Sequence, residues 1–526
     1  MKPKLTITIM IALSITATTQ AEVGFHLLGI MTGDTTGDRY MEVQGIGDIN
    51  ADGYKDFAIG ASWESNKIGY ADIYLGGSVI DTIADYRIIE DDSWGLGSSI
   101  TSGDFNDDGF SDLVIGDYCY SNYEYLAGRV FIYWGGADFD TISDLTIECK
   151  GYLYFFGREV KNGGDINGDG VDDLLIGAPE KYMGLGYVFI YYGGKFIDNL
   201  ADVVIQGGDH DRIGSAICGI GDINADGYDD MLIGTDYWDA NYTYGKAYLM
   251  YGGDSIGTYY DTIYDMDTTL GSFGRYVANF GDITGDSISE YAVLSPKYAR
   301  IYSGRNIQEI CYIPNGNLNC NFQSICNTID INNDSINDVI IGTVGWQGNN
   351  LGAYVYLGGT DFDSIPDYVV QGTSYTDGLG FTIASIGDIN NDGQQELLIG
   401  GMGANESGKV CLYTFGEWEG ITREINTTAD DFKLFQNYPN PFNDHTTIKY
   451  YLPVDADIIL SIYNLLGREV KILIYGTQQS GYHEVEWDGT NQASQSVPSG
   501  IYFYKLNTTA NGKINAVQSK KLIYLK

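Results

Sequence analysis

Asp222-Ile-Asn-Ala-Asp-Gly-Tyr-Asp-Asp230, followed at once by Met231-Leu-Ile-Gly-Thr235, is the stretch that decides the fold of this chain. It is an acidic turn running straight into an apolar strand. The same unit is written seven times, starting at Asp48 (DINADGYKD), Asp104 (DFNDDGFSD), Asp165 (DINGDGVDD), Asp222, Asp282 (DITGDSISE), Asp330 (DINNDSIND) and Asp388 (DINNDGQQE). Successive starts are 56, 61, 57, 60, 48 and 58 residues apart. A repeat of that length holding several short strands predicts a β-propeller, and the count predicts seven blades.

The loop chemistry predicts the ligand. Position 1 is Asp48, Asp104, Asp165, Asp222, Asp282, Asp330 and Asp388; position 3 is Asn50, Asn106, Asn167, Asn224, Thr284, Asn332 and Asn390. Position 5 is Asp52, Asp108, Asp169, Asp226, Asp286, Asp334 and Asp392; position 9 is Asp56, Asp112, Asp173, Asp230, Glu290, Asp338 and Glu396. Gly at position 6 permits φ > 0, which would turn the backbone carbonyl of position 7 inward: Tyr54, Phe110, Val171, Tyr228, Ile336 and Gln394. An all-oxygen cage of this kind suits Ca²⁺. No Glu stands at position 12, so these are not EF-hands. Asp-Gly and Asn-Gly pairs mark turns in any protein, which would account for one such loop but not for seven in register. The loop at Asp282, with Thr284, Ser287 and Glu290, is expected to be the weakest, and Ser335 replaces the position 6 Gly in the loop at Asp330. Five to seven calcium ions are expected.

After each buried strand comes a variable loop. A second repeated strand then ends in aromatic-x-Gly-Gly or a relative of it (GYADIYLGG, GRVFIYWGG, GYVFIYYGG), and a third follows (DYRIIE, DLTIEC, DVVIQG). With the strand entering the acidic loop, that makes four per repeat, so the fold class is all-β. GDTTGDRYMEVQGIGDIN (33–50) aligns with GGDHDRIGSAICGIGDIN (207–224), which leaves 24–31 as a fourth strand without a blade of its own. Blade seven lacks a fourth strand after Phe415, so residues 24–31 are expected to pair there and close the ring, removing two sheet edges.

These units resemble FG-GAP repeats, the building blocks of the integrin alpha-chain headpiece. Phe156-Gly157 and Phe273-Gly274 match the FG half, and Gly177-Ala178-Pro179 the GAP half; Trp94-Gly95, Gly234-Thr235 and Asn321-Phe322 depart from it. The resemblance covers residues 24–416. It implies a seven-bladed propeller with calcium loops on one face and ligands bound on the other.

Lys2 and Lys4 before the apolar run Ile7 to Ala17, and Thr19-Gln20-Ala21 after it, read as a secretory signal peptide, 1–21. No later run reaches the ~20 apolar residues of a membrane helix. Residues 432–526 hold nine Lys/Arg and seven Asp/Glu and residues 1–21 two Lys, so of the net charge of −42 the segment 22–431 carries −46. That break separates a propeller, 22–416, and a linker, 417–431, from a tail, 432–526. It also argues against a nucleic-acid partner.

The tail segments FKLFQNYPNPFNDHTTIKYYLP (432–453), YNLLGREV (463–470), VEWDG (485–489), VPSGIYFYKL (497–506) and KKLIYLK (520–526) resemble the C-terminal sorting domain of the bacterial type IX secretion system. The resemblance implies an immunoglobulin-like sandwich, recognition by outer-membrane secretion machinery, and a secreted or cell-surface location. Among the seven cysteines, Cys218 and Cys326 fall at one inward strand position and read as buried thiols, while Cys311, Cys320 and Cys326 leave a disulfide open.

His26, His210, His445 and His483 have no nucleophile or metal partner at a recognisable spacing, and no catalytic motif is present. The expectation is a non-catalytic adhesion or ligand-binding module for a protein or glycan. A structural surface-layer spacer is the alternative, and a calcium-dependent polysaccharide-acting enzyme is less favoured. What separates the readings is the loop opposite the calcium face. It holds Tyr118, Tyr120, Tyr123 and Tyr125 in blade two, and Tyr237, Trp238, Tyr242 and Tyr244 in blade four. Such aromatics suit a binding surface, although 44 tyrosines make Tyr abundant in this chain.

Overall fold

In a computed structural model, the chain is described at residues 7–9, 23–33, 40–417 and 433–526, apart from short internal segments that include 63–68, 121–126, 236–244, 346–351 and 402–407. It divides into two compact units, Met1–Trp418 and Glu419–Lys526.

The first unit is seven sheets, each built on four antiparallel strands. Blade one is Tyr40–Gly47, Asp56–Ala61, Tyr70–Tyr74 and Tyr86–Ile89. Blades two to six follow at 96–148, 159–206, 213–265, 276–314 and 320–371. The acidic loop joins first strand to second in every blade, so all seven loops share one face and the connections from second strand to third share the other.

The second strands are buried along their length, at every residue in Asp173–Ala178 and Asp230–Thr235. That explains why they read as unbroken apolar runs rather than alternating ones: both faces pack on neighbouring blades. Fourth strands bury less, with only Ile205 buried in Val203–Gln206. The cores lie between blades. Phe105, Val114 and Ile132 of blade two meet Phe156, Leu174 and Ile176 of blade three in one cluster. The Phe of each Phe-Gly pair is a wedge in such a cluster, with Phe156 and Phe273 both 2% exposed.

Blade seven is Leu379–Gly387, Glu396–Gly401, Lys409–Glu417 and, as its fourth strand, Val23–Thr32. The closing strand runs antiparallel from Val23↔Glu417 to Thr32↔Lys409, the pairing expected from the repeat alignment. Phe25 seals it, with ring centroids 5.0 Å from Phe415 and 6.2 Å from Tyr368 of blade six. Ile7–Ile9, within the expected signal peptide, lies parallel to Tyr368–Val370 as a fifth strand of blade six.

The second unit is a sandwich. One sheet holds Lys433–Leu434, Thr446–Leu452 and Gly481–Trp487; the other orders Glu469–Gln478, Ala456–Asn464, Gly500–Ala510 and Lys513–Tyr524. The tail's recurrent motifs supply its core: Phe442, Trp487, Val497, Tyr502, Tyr504 and Tyr524 are all buried. Asn437 of the YPNPFN stretch is buried too and donates its backbone N–H to the Tyr504 hydroxyl at 2.8 Å.

Candidate calcium loops and the opposite face

Each acidic loop is wound by two left-handed residues. Position 6 has φ of 89° at Gly53, 94° at Gly227, 68° at Ser287 and 70° at Ser335. Position 4 is left-handed as well, at Ala51, Asp107, Gly168, Ala225, Gly285, Asn333 and Asn391. The sequence reading missed this second requirement, because those residues share no side-chain chemistry. Between the two turns the acids accept from their own loop. Asp48 Oδ1 takes the Asp52 N–H at 3.0 Å, Asp48 Oδ2 the Gly53 N–H at 2.8 Å, and Asp52 Oδ1 the Tyr54 N–H at 2.9 Å. The other six loops repeat the set, for example at Asp222 and Asp226 with 3.1, 2.8 and 3.1 Å and at Asp282 and Asp286 with 3.0, 2.6 and 3.0 Å.

Position 9 differs from the exposed acids. Asp56, Asp112, Asp173, Asp230, Glu290, Asp338 and Glu396 are all 0% exposed. Each accepts the backbone N–H of position 2, as Asp230 does from Ile223 at 3.1 Å. In blades one to four and six the second oxygen accepts from the first Gly after the third strand, as from Gly252 at 2.9 Å. That Gly has no room for a side chain: a Cβ on Gly252 would sit 2.4 Å from the Asp229 carbonyl oxygen. The aromatic-x-Gly-Gly signature is therefore a clamp between the third strand and the acidic loop. Burial pushes Asp56, Asp112, Asp173, Asp230, Glu290 and Asp338 up to about 7 and Glu396 to about 8, with the nearby position 5 and position 1 acids adding to the rise.

The neighbouring acids of the Asp-Asp pairs join the blades. Asp172 accepts the Asp104 N–H at 3.2 Å and Asp229 the Asp165 N–H at 2.9 Å, each reaching into the preceding blade. Asn333 and Asn391 do similar work, donating to the Gly393 and Gly53 carbonyls of the next loop in the ring.

Among the described residues, no three Asp, Glu, His or Cys side chains converge tightly enough to hold a metal by themselves. The donor set of each loop is broader, adding the position 3 amide and the position 7 carbonyl. Two features fit a hard cation. Like charges crowd each loop with position 9 already costly to ionise. In loop two, Asn106 Oδ1 is buried with no hydrogen-bond donor, whereas its counterpart Asn224 accepts the Asp226 N–H at 2.9 Å. In loop seven, Glu396 Oε1 is also buried, beside the Thr414 hydroxyl but without a well-formed hydrogen bond.

Loop five departs from the others. Asp282 Oδ1 gathers the N–H groups of Thr284, Gly285 and Asp286 at 3.2, 2.6 and 3.0 Å, because Thr284 offers no amide oxygen. Arg305 Nε lies 3.2 Å from Asp286 Oδ2, so a guanidinium already sits on the position 5 acid.

On the opposite face, Tyr118 and Tyr120 are half-buried. Tyr118 packs against Phe155 with centroids 5.6 Å apart, and Tyr120 lies beneath the Arg129 guanidinium at 4.0 Å. Tyr123, Tyr125, Tyr237, Trp238, Tyr242 and Tyr244 lie outside the described residues. Cys218, Cys311 and Cys326 form no disulfide among the described residues, and Cys218 and Cys326 are buried. The His26 and His483 rings contact backbone carbonyls at 3.2 and 2.7 Å.

Residues 96–133 and 156–191 match the FG-GAP repeat family, and each span covers the first three strands and the acidic loop of one blade. The chain carries FG-GAP repeats like those of integrin alpha chains. Its tail matches the FlgD Ig-like domain family at residues 442–512. The chain is 32% identical over 156 residues to integrin alpha-5 of Xenopus laevis, covering 28% of the chain and 14% of that protein. It is 33% identical over 177 residues to integrin alpha-PS2 of Drosophila melanogaster, covering 31% and 12%. It is also 33% identical over 162 residues to phosphatidylinositol-glycan-specific phospholipase D of Bos taurus, covering 27% and 19%. The matched region is less than a fifth of each of these relatives. Among solved structures, PorZ, a bacterial surface component of the type IX secretion system of Porphyromonas gingivalis, aligns with a TM-score of 0.39 and 14% identity, over 93% of this chain and 60% of that one.

Proposed function

We propose that the propeller is a calcium-stabilised, non-catalytic binding module that works outside the cell, and that the tail is its export address. The observation that carries this is the division of labour between the two faces. One face is occupied by seven loops whose acids are absorbed in turn-making, blade-joining and cation-ready positions. The other opens on a cavity of about 540 Å³, within the usual range for a ligand site. The residues that would hold calcium are positions 1, 3, 5 and 9 with the position 7 carbonyl, in every loop but the fifth. Bound there, the ion would supply positive charge to carboxylates that otherwise repel one another. It would act as a brace for the blades and take no part in chemistry.

Export rests on the N-terminal Lys-plus-apolar segment and on the motif order of the tail. Among the described residues, no helix is long and apolar enough to cross a membrane. The test is to express residues 22–431 and screen the fragment on glycan and peptide arrays in millimolar Ca²⁺, with a chelated control. Binding that is lost together with thermal stability on chelation supports the module. A fragment that is folded, calcium-loaded and silent on both arrays would favour the spacer instead. Deleting 432–526 in the producing bacterium should trap the propeller inside the cell envelope.

A further inference from the structure

The cavity opposite the calcium loops is the mouth of the central channel, lined by the early residues of the first strands and the turns before them. Its chemistry runs against that of the whole propeller. Residues 22–431 carry −46, yet Arg158, Arg212 and Arg275, from the consecutive blades three, four and five, and Lys161 of blade three all face this one cavity. Among the described residues of the propeller the other arginines are paired: Arg87 sits on Asp72, Arg129 on Asp117, Arg300 on Glu309 and Arg305 on Asp286. Lys161 is balanced too, with Nζ 3.2 Å from Glu159 and 3.7 Å from Glu42. Arg158 and Arg275 make no ion pair with any described carboxylate; they lie over the rings of Tyr118 and Tyr276 at 4.9 and 5.6 Å.

Both arginines stand at one structural position, directly after the glycine of a Phe-Gly pair. Those glycines are left-handed, with φ of 78° at Gly157 and 86° at Gly274. A Cβ there would strike backbone, 2.8 Å from the Arg129 oxygen and 2.0 Å from the Lys246 oxygen. The turn that launches each guanidinium is therefore rigid, and its preceding Phe is wedged between blades. In blade four, between them, the buried Ser215 Oγ lines the same cavity without a hydrogen-bond partner. Two guanidiniums without a direct ion pair to a described carboxylate, an unsatisfied hydroxyl and flanking aromatic rings form a site suited to an anion.

We infer that this channel mouth binds a carboxylate-bearing saccharide, of the uronic acid type, with Arg158 and Arg275 holding the carboxylate and Tyr118 and Tyr276 covering the ring faces. Guanidinium is the group best matched to carboxylate, through paired N–H donors. A saccharide is favoured over an acidic peptide because the hydroxyl and amide side chains of Ser98, Ser215 and Gln323 line the same wall as the rings of Tyr118 and Tyr276. The inference deepens the binding-module reading and rests on it.

The test uses the calcium-loaded full chain and isothermal titration with three probes: an oligouronate, its fully methyl-esterified form, and a Glu-rich decapeptide. The oligouronate should bind, and esterification should weaken it at least tenfold. Arg158→Gln and Arg275→Gln should each weaken oligouronate binding about tenfold with unchanged melting temperature, and Arg→Lys at either position should restore part of it. Equal binding of the acid and its ester, or no effect of the double Arg→Gln variant, overturns the site. Binding of the decapeptide alone overturns the saccharide assignment. A neutral glycan that binds on the array and is indifferent to both arginines would leave the binding module standing and this site refuted. Silence toward every array component would refute the module itself.

Discussion

Asp230 and Asp226 lie in the same loop, yet their truncation should have different signatures. Asp230 is buried and holds the N–H groups of Ile223 and Gly252. Asp230→Ala leaves both unpaired, at about 1–3 kcal/mol each, and should lower the melting temperature with or without calcium. Asp226 is exposed, so Asp226→Ala should cost stability chiefly when calcium is present, by about 1.4 kcal/mol at ion tenfold above Kd. Asp286→Ala, where Arg305 already stands, should show no calcium-dependent cost. Differential scanning fluorimetry of the three variants, with and without chelator, separates these cases; identical profiles for Asp226→Ala and Asp230→Ala would remove the distinction. Glu42 gives a second residue-level prediction. Burial at the channel pushes it up to about 7, against the lowering pull of Lys161 and Arg158 and with the raising push of Glu159. Below that pH Glu42 is neutral, and one negative charge beside the arginines disappears. Oligouronate affinity should therefore strengthen as pH falls from 8 to 6, and Glu42→Gln should flatten the profile. The same shift makes the folded state the stronger proton binder, so the group's penalty on stability is relieved as pH falls from about 7 toward its ordinary 4.5.

At the scale of the element, the closing strand was legible because Tyr40–Gly47 aligns with a complete repeat and leaves Val23–Thr32 as a surplus strand. Phe25 is 6% exposed and touches rings of two blades. Phe25→Ala should cost about 3–5 kcal/mol. It should also free the Lys409–Glu417 edge for pairing between copies, which light scattering on warming would detect. A variant that stays monomeric and loses little stability would mean that the ring does not depend on this closure. Other features could not be read along the chain. Position 4 of the loops carries Ala, Asp, Gly and Asn, so its shared left-handed turn leaves no side-chain signature. Arg305 is 19 residues from the acid it pairs with, and only the third-strand register brings it back. Asp172 and Asp229 stand next to the position 9 acids in sequence, but their partners lie in the preceding blade, 68 and 64 residues away. The cation-lined mouth did leave a trace: Phe-Gly-Arg occurs at 156–158 and again at 273–275, and a repeat that keeps Arg in an acid-rich propeller is a signal for an anion.

For the whole molecule, the two units are built on different stabilising physics, and this leads to a measurable separation. The propeller has acids that are 0% exposed at every position 9, and in the function proposed above cations would offset its charge. The tail carries +2 over 432–526 and closes on an aromatic core around Trp487, Tyr450 and Tyr504, all 0% exposed. Its ion pairs are exposed ones such as Lys449 with Glu484, worth well under ~1 kcal/mol. Calcium should therefore move one transition and leave the other in place. Each loaded loop adds roughly 1.4 kcal/mol at tenfold excess over Kd, so with several loops filled the propeller transition should rise by many degrees, while that of the tail stays within about a degree. Scanning calorimetry of the full chain, of 22–431 and of 432–526, each titrated with Ca²⁺, reads this directly. The isolated tail should reproduce the calcium-insensitive peak. A single transition that shifts as a whole, or a tail that unfolds once severed, would mean that the two units share a core, and the charge break at residue 432 would not be a structural boundary.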